Sequence, residues 1–498
     1  MDLHLVLASL LALVLVTKCD VVKHGTAIAN ENQTTISSGT TSKSASLCIV
    51  CTCTDGYIDC SNRSLENHFE ESEWSNVTVT EISFEHNRLV HVTPFPKIIV
   101  EKLILRMNQI SRIDNQAFKE LVNLTELDLS HNQLKSEYLS PHIFEGKFSP
   151  NAYEPLSNLK TLSLAGNLLH WLHPSIFEHL PSLEVLNISG NPFNVFDYRT
   201  SIAISSLSYL EDLDISYCDL KNLSLQFHNA KYLKRLNLAN NKFTTVPTSL
   251  EDAKELEYLR LDFNPIRVID HTNGFPNLTL LKELSLCYMA NLTEIGNGGL
   301  SALIGLENLY MHHCEKLVKI DDYAMSLKFQ VVFATSQVTG ALWPPLKKLD
   351  LTSNSLQYLP MLLVGRWDKL EELHLTHNNW SCDCNNQYLI DHVLPQFGEK
   401  LMGPDAINEL TCSAPPEHAG KKLTSLAKRH LRCLDLYGAQ PEKDAAILIG
   451  VLIGILLAIP VCLAIFVLWR RGFFFCGSQG PASFSRAFYK RASNDDDF

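Results

Sequence analysis

The chain has 498 residues, 42 of them Lys or Arg and 54 Asp or Glu, with 14 Cys and a mean hydropathy of zero. Hydrophobic residues at 46% and charged residues at 19% exclude disorder throughout. A net charge of -12 argues against a nucleic-acid partner, which usually demands a basic footprint.

At the N-terminus, Leu5 to Val16 is apolar except for Ser9. The run is too short to span a bilayer, and its position predicts a secretory signal peptide over residues 1–19, although no Lys or Arg precedes it. Residues 20–46 are rich in Ser and Thr and predict a disordered leader. Cys48, Cys51, Cys53 and Cys60 then fall within a short N-terminal segment, 47–78.

From 79 to 379 the pattern L-x-x-L-x-L-x-x-N-x-L recurs. Clear copies begin at Leu124, Leu159, Leu183, Leu233, Leu256, Leu346 and Leu370, and variants at Val79, Val100, Leu210, Leu281 and Leu306. Most of these 12 starts are spaced as in a leucine-rich repeat. The L-x-L core predicts a strand with Leu facing in and the intervening residues facing out. One turn cannot bury its own leucines, so turns stack into a solenoid with a parallel sheet on the concave face of a horseshoe. The Asn amide is expected to satisfy backbone groups of its own turn and of the neighbour. Two long spacings predict loop insertions, at Lys135–Pro155 and about Ala324–Pro345. At the Asn position, Cys218, Met289 and Cys314 substitute, and Cys218 and Cys314 are expected to be inert buried thiols. Cys287 falls at an outward position and is expected to be an unreactive exposed Cys, with a reactive thiol or an intermolecular bridge as the alternatives.

A solenoid exposes its core at both ends and needs caps. Cysteines cluster at those ends, the second group being Cys382, Cys384, Cys412 and Cys433 within 380–434. The motif NNWSCDC, followed by CSAPPEHAGKKL, resembles the C-terminal cap of extracellular leucine-rich-repeat proteins. That resemblance covers about Cys48 to Cys433 and implies the pairs Cys48–Cys53, Cys51–Cys60, Cys382–Cys412 and Cys384–Cys433. Spacing alone leaves three pairings open for each group of four. Nine N-x-Ser/Thr sequons fit a secretory chain: Asn32, Asn62, Asn76, Asn123, Asn187, Asn222, Asn277, Asn291 and Asn379. Asn187 is the intervening residue of an L-x-I strand, so a glycan there is expected on the concave face.

After a short stalk, 435–444, residues 445–469 carry no charge and predict one transmembrane helix. Arg470 and Arg471 follow it, which by the positive-inside rule places the tail, 470–498, in the cytoplasm. The protein is thus expected at the plasma membrane as a single-pass type I chain with its N-terminus extracellular. Residues 1–444 carry 37 basic and 51 acidic groups, whereas the tail carries five and three. Gly450, Gly454 and Ala458 lie at four-residue intervals and predict close helix packing in a homodimer. Cys476, beside three Phe, is a candidate for lipidation.

No catalytic motif is present, and no enzyme activity, metal or cofactor is expected. His312 and His313 are adjacent, so strand alternation would send them to opposite sides. Function is instead expected on the concave face, where Tyr258, Arg260, Asp262, Phe263, Tyr288, Tyr310, His312 and His313 form a candidate protein-binding patch. These residues also suit mere stacking of aromatics across strands. The expected partner is an extracellular or cell-surface protein. In layout the chain is similar to the trophoblast glycoprotein family, though it has more repeats. That resemblance implies cell adhesion and modulation of Wnt signalling. The contrasting expectation is a signalling receptor for a soluble or microbial ligand, acting through adaptors bound to the tail.

Overall fold

The computed structural model describes residues 46–433, apart from 75–77, 150–151, 226, 228–229 and 334–335, together with 441–470. The expected signal peptide, most of the leader, the tail beyond Arg470, Asn32, Asn76 and Cys476 lie outside the described residues.

A 14-stranded sheet runs along the solenoid. Its strands are β1 (Thr52–Thr54), β2 (Tyr57–Asp59), β3 (Glu81–Ser83), β4 (Lys102–Ile104), β5 (Glu126–Asp128), β6 (Thr161–Ser163), β7 (Val185–Asn187), β8 (Asp212–Asp214), β9 (Arg235–Asn237), β10 (Tyr258–Arg260), β11 (Glu283–Ser285), β12 (Asn308–Tyr310), β13 (Lys348–Asp350) and β14 (Glu372–His374). Strands β3 to β14 match the 12 repeat starts one for one. Each begins two residues after its start, and each pairs in parallel with the next. Only β1 runs antiparallel, as a hairpin with β2. The central residues Ile82, Leu103, Leu127, Leu162, Leu186, Leu213, Leu259, Leu284, Leu309, Leu349 and Leu373 stack in one row, all at 1% exposure or less. Burying each contributes roughly 1.5–3 kcal/mol. No single turn could bury this row alone.

Two features hold consecutive turns in register. Asn132 donates from Nδ2 to the Leu105 and Leu129 carbonyls at 3.0 Å, and its Oδ1 accepts from Ile110 N–H at 3.0 Å. Asn108, Asn167, Asn191, Asn241, Asn264, Asn354 and Asn378 repeat this bridge. Where Cys replaces Asn, the thiol keeps one donor: Cys314 Sγ reaches the Leu286 carbonyl at 3.1 Å and Cys218 Sγ the Ile188 carbonyl at 3.5 Å. Burial pushes both thiols up to about 12, so they stay protonated and inert. The second feature is a left-handed residue just before the Asn position. His86, Met107, His131, Gly166, Gly190, Tyr217, Asn240, Phe263, Tyr288, His313, Ser353 and His377 all have φ between 51° and 65°. This is where the chain turns sharply off the strand, and it decides how the candidate site is built.

Both insertions contain β-hairpins rather than irregular loops. Lys147–Ser149 pairs with Ala152–Glu154, and Leu327–Phe333 pairs with Ser336–Leu342 over seven positions. Beyond the strands, Val268–Ile269, Glu294–Ile295 and Lys319–Ile320 form a second, three-stranded parallel sheet. Its last two strands come from the Leu281 and Leu306 repeats.

The caps carry four disulfides, Cys48–Cys53, Cys51–Cys60, Cys382–Cys412 and Cys384–Cys433, as the resemblance implied. At the C-terminal end Trp380, 1% exposed, closes the core and donates from Nε1 to the Leu375 carbonyl at 3.1 Å. Buried Asp383 accepts from the Tyr358 hydroxyl at 2.9 Å and the Ser381 hydroxyl at 2.6 Å. Asn386 imitates the ladder Asn there, accepting from Leu359 N–H at 3.0 Å. The chain is thus a leucine-rich-repeat solenoid of about 12 turns with a disulfide-bonded cap at each end.

Pro441–Arg470 is a single helix containing Pro460. Ala445–Arg470, 26 residues, is long and apolar enough to cross a membrane, reaching about 39 Å at 1.5 Å per residue. Gly450 and Gly454 lie on it with open space where a Cβ would sit.

Candidate functional site: an aromatic ladder on the concave face

Strand alternation lasts only three residues in each turn. In β10 it exposes Tyr258 and Arg260 on either side of buried Leu259. In β12 it leaves Asn308 and Tyr310 half-buried around Leu309. Two residues past the strand the chain is already turning inward. That position is tightly packed in six of the 12 turns: Ser130, Ala165, Ser216, Ala239, Asp262 and Cys287 are between 3% and 7% exposed.

This corrects two expectations. Asp262 is not an exposed contact group but is 3% exposed, with both carboxylate oxygens engaged. Its Oδ1 accepts from the Ser285 hydroxyl at 2.6 Å and from Cys287 N–H at 2.8 Å, and its Oδ2 accepts from Arg260 at 3.1 and 3.2 Å. Its role is to fix Arg260 and join β10 to the turn after β11. Cys287 is likewise buried and unpaired rather than exposed, and burial together with the Asp262 charge pushes its thiol well up. A reactive surface thiol is therefore ruled out at this position.

The next residue is the left-handed one. There the backbone throws a side chain back onto the concave edge, at φ 59° for Phe263, 56° for Tyr288 and 57° for His313. Because the same position recurs in each turn, the three rings align. Phe263 and Tyr288 stack at 4.6 Å between centroids and 1° between planes, and Tyr288 and His313 at 4.7 Å and 16°. His312 meets Tyr288 edge-on at 5.2 Å and 85°.

The two histidines also differ from expectation. The left-handed φ of His313 cancels strand alternation, so the rings converge instead of diverging, and Nδ1 of one lies 3.0 Å from Nδ1 of the other. One nitrogen must donate and the other accept, so at least one ring is neutral. Burial pushes the His312 imidazole below its usual range, with the nearby Asp350 opposing and His313 reinforcing the shift. Burial, then the Glu283 charge, raises the Tyr310 phenol. Among the described residues no group of three or more His, Cys, Asp or Glu is placed to hold a metal.

The structure therefore brings Tyr258, Arg260, Phe263, Tyr288, Tyr310, His312 and His313 onto three adjacent turns, with Asp262 beneath them. Tyr258 is 37% and Phe263 40% exposed. Along the edge of the sheet the charges neutralise one another from turn to turn. Lys160 pairs with Glu184 at 2.7 Å, Lys234 with Glu211 at 3.1 Å, Lys282 with Glu257 at 2.7 Å and Lys347 with Glu307 at 2.7 Å. Away from the concave face lies an exposed region that sequence reasoning missed. In the connection between β7 and β8, the helix Tyr198–Ser205 presents Tyr198 at 81% and Ile202 at 37% exposure, with Val195 at 61% beside it. Its apolar residues, Tyr198 and the run Ile202–Ile204, are too few to give a clear helical stripe.

Of the sequons within the described residues, Asn62, Asn123, Asn222, Asn277, Asn291 and Asn379 are exposed, and Asn187 is half-buried on β7.

A family profile described as Leucine rich repeat matches residues 99–146, 157–220 and 208–266. The chain is 25% identical over 413 residues to human CD180 antigen, an alignment covering 73% of this chain and 58% of that protein. Mouse CD180 antigen is 30% identical over 173 residues, 34% of this chain and 24% of that protein. Mouse keratocan is 32% identical over 216 residues, 37% of this chain and 58% of that protein. The chain thus spans between about a quarter and three-fifths of these relatives' length. Among solved structures, a chain of the octameric complex of latrophilin 3, Unc5D and FLRT2 aligns with a TM-score of 0.40 at 18% identity, covering 77% of this chain and 99% of that one. A likeness at that level adds nothing to the fold described above.

Proposed function

We propose that this chain is a single-pass cell-surface protein whose disulfide-capped solenoid lies outside the cell and binds another protein through the aromatic ladder on β10–β12, in adhesion or in modulation of a receptor. The observation that carries this reading is the ladder itself. Phe263, Tyr288 and His313 stack on one another, and Tyr258 and Arg260 stand exposed beside them. Rigid aromatics flanked by an Arg combine apolar area with polar tips at little entropic cost, which is the composition of interface hot spots. Stacking alone accounts for the alignment of the three rings but not for the exposure of Tyr258 and Arg260 next to them.

The four disulfides support an oxidising compartment, and the apolar helix supports anchorage in the membrane. Pairing of two such helices through Gly450, Gly454 and Ala458 belongs to the same proposal, and cross-linking in membranes tests it. The Wnt component of the earlier expectation rests on layout alone and forms no part of the reading.

Alanine substitution of Tyr258, Tyr288 and Tyr310 tests the patch. A hot spot loses about 2 kcal/mol or more on truncation, roughly thirty-fold in affinity. Unchanged capture of cell-surface partners by the triple variant, shown to be folded at the assay temperature, sinks the proposal.

A further inference from the structure

The middle of the concave face is built differently from the ladder. Across β6 and β7 its positions hold Thr161, Ser163, Ala165 and Gly166, then Val185, Asn187, Ser189 and Gly190. The left-handed positions on either side of these two turns carry His131 and Tyr217, but here they are Gly166 and Gly190, at φ 61° and 65°. At Gly166 the space is claimed by the neighbouring turn: a Cβ there would lie 2.6 Å from His131 Nδ1. Asn187 thus stands above small side chains, in register with Ser163 on one side and Asp214 on the other.

Asn187-Ile188-Ser189 is a sequon. The Asn187 carbonyl oxygen accepts from Ser189 N–H at 3.0 Å and from the Ser189 hydroxyl at 2.7 Å. Its amide nitrogen has no hydrogen-bond partner among the described residues. Asn237, two strands along in the same row, behaves oppositely: its Nδ2 is spent on Asp214 Oδ2 at 2.9 Å. Asp214 makes no bond to Asn187: its Oδ1 accepts from Ser216 N–H and the Ser216 hydroxyl, and its Oδ2 accepts from Asn237. A substituent on Asn187 Nδ2 therefore breaks no hydrogen bond among the described residues, and its register partner on β6 is the small Ser163.

We infer that Asn187 carries an N-linked glycan seated on this bed of small residues, and that the glycan closes the middle of the concave face to protein partners. The modification precedes folding. The Asn187 amide nitrogen forms a bond to C1 of an oligosaccharide carried on a polyprenyl diphosphate. The C1–O bond to the diphosphate breaks, the lipid diphosphate leaves with the electron pair, and the amide gives up one proton. The aromatic ladder, centred on β11, lies four strands from β7, about 19 Å at the usual strand spacing. The sugar and the ladder then divide the face between them, one half masked and the other open. The inference needs passage through the secretory pathway but not the ladder's role in binding.

The test is glycopeptide mass spectrometry on the full-length chain from cells, with the exposed sequons Asn123, Asn277 and Asn379 as internal controls. The peptide containing Asn187 is expected to carry sugar. Asn187→Gln and Ser189→Ala are each expected to remove the same mass increment. Masking is read separately with Ser163→Cys: a bulky maleimide is expected to label it several-fold more slowly when Asn187 is intact than in the Asn187→Gln background. A bare Asn187 beside occupied control sequons overturns the inference, and equal labelling rates overturn the masking. Bare peptides at every sequon overturn it too, together with the extracellular placement proposed above.

Discussion

Tyr288 stands at the centre of three ring contacts, so its removal reaches further than one contact. Tyr288→Ala abolishes both stacks and the edge-on contact of His312. At about 0.5–1.5 kcal/mol per aromatic pair, a modest loss of stability is expected, measurable as a lower midpoint in chemical denaturation. The ladder Asn residues make a sharper case. Asn264, 1% exposed, bridges the Leu238 and Leu261 carbonyls and the Phe243 N–H. Asn264→Leu strands all three groups, at about 1–3 kcal/mol for each buried group left unmet, so the thermal midpoint is expected to fall by several degrees. Buried His68 gives a pH dependence. Burial holds its pKa below the usual 6.5, although two carbonyls oppose the shift. Above about 6.5 the ring is neutral whether folded or unfolded, and its contribution is fully present. As pH falls below that value the unfolded state takes up the proton first, and stability is lost towards the folded pKa. Melting temperatures from pH 7 to 5 are expected to fall less steeply in His68→Gln. At this scale the sequence was legible for the Leu and Asn positions. It was misread at Asp262, Cys287 and the histidine pair, because the left-handed residue after each strand overrides simple alternation and leaves no mark that period-two reasoning detects.

Among the elements, the strands were the most legible. The repeat dictates the length, direction and partner of each, and all 12 begin where the pattern places them. The insertions were less so, since their residues obey no repeat. The Leu327–Leu342 hairpin enters the chain between β12 and β13, yet those strands still pair in register, Leu309 beside Leu349. The sheet does not depend on the insertion. Replacing residues 327–342 with a short Gly-Ser linker is expected to leave the cooperative melt of the solenoid intact, and circular dichroism on heating checks this. The caps behave in the opposite way. Cys382–Cys412 and Cys384–Cys433 close intervals of 30 and 49 residues, for which chain-entropy arguments give about 4 kcal/mol each. Cys412→Ser is expected to expose Trp380, which closes the core at that end, and a red shift in tryptophan emission with a lower midpoint reports it.

Over the whole molecule, one long row of leucines supplies stability and the concave face supplies surface, with different residues doing each. The charged row beside the sheet is paired off from turn to turn, leaving shape and aromatic character as what distinguishes β10–β12 from its surroundings. The sequence revealed the solenoid and its caps because a repeat is a global signal. It located the patch only approximately, since a patch depends on which side chains the turns bring together. The exposed helix at Tyr198 is the rival surface. Photo-crosslinking on living cells separates the two most directly: full-length chains carrying a benzophenone side chain in place of Tyr288 or of Tyr198 are irradiated and resolved by mass. The account predicts a discrete cross-linked protein partner from position 288 and none from position 198. A partner captured only from position 198 contradicts it.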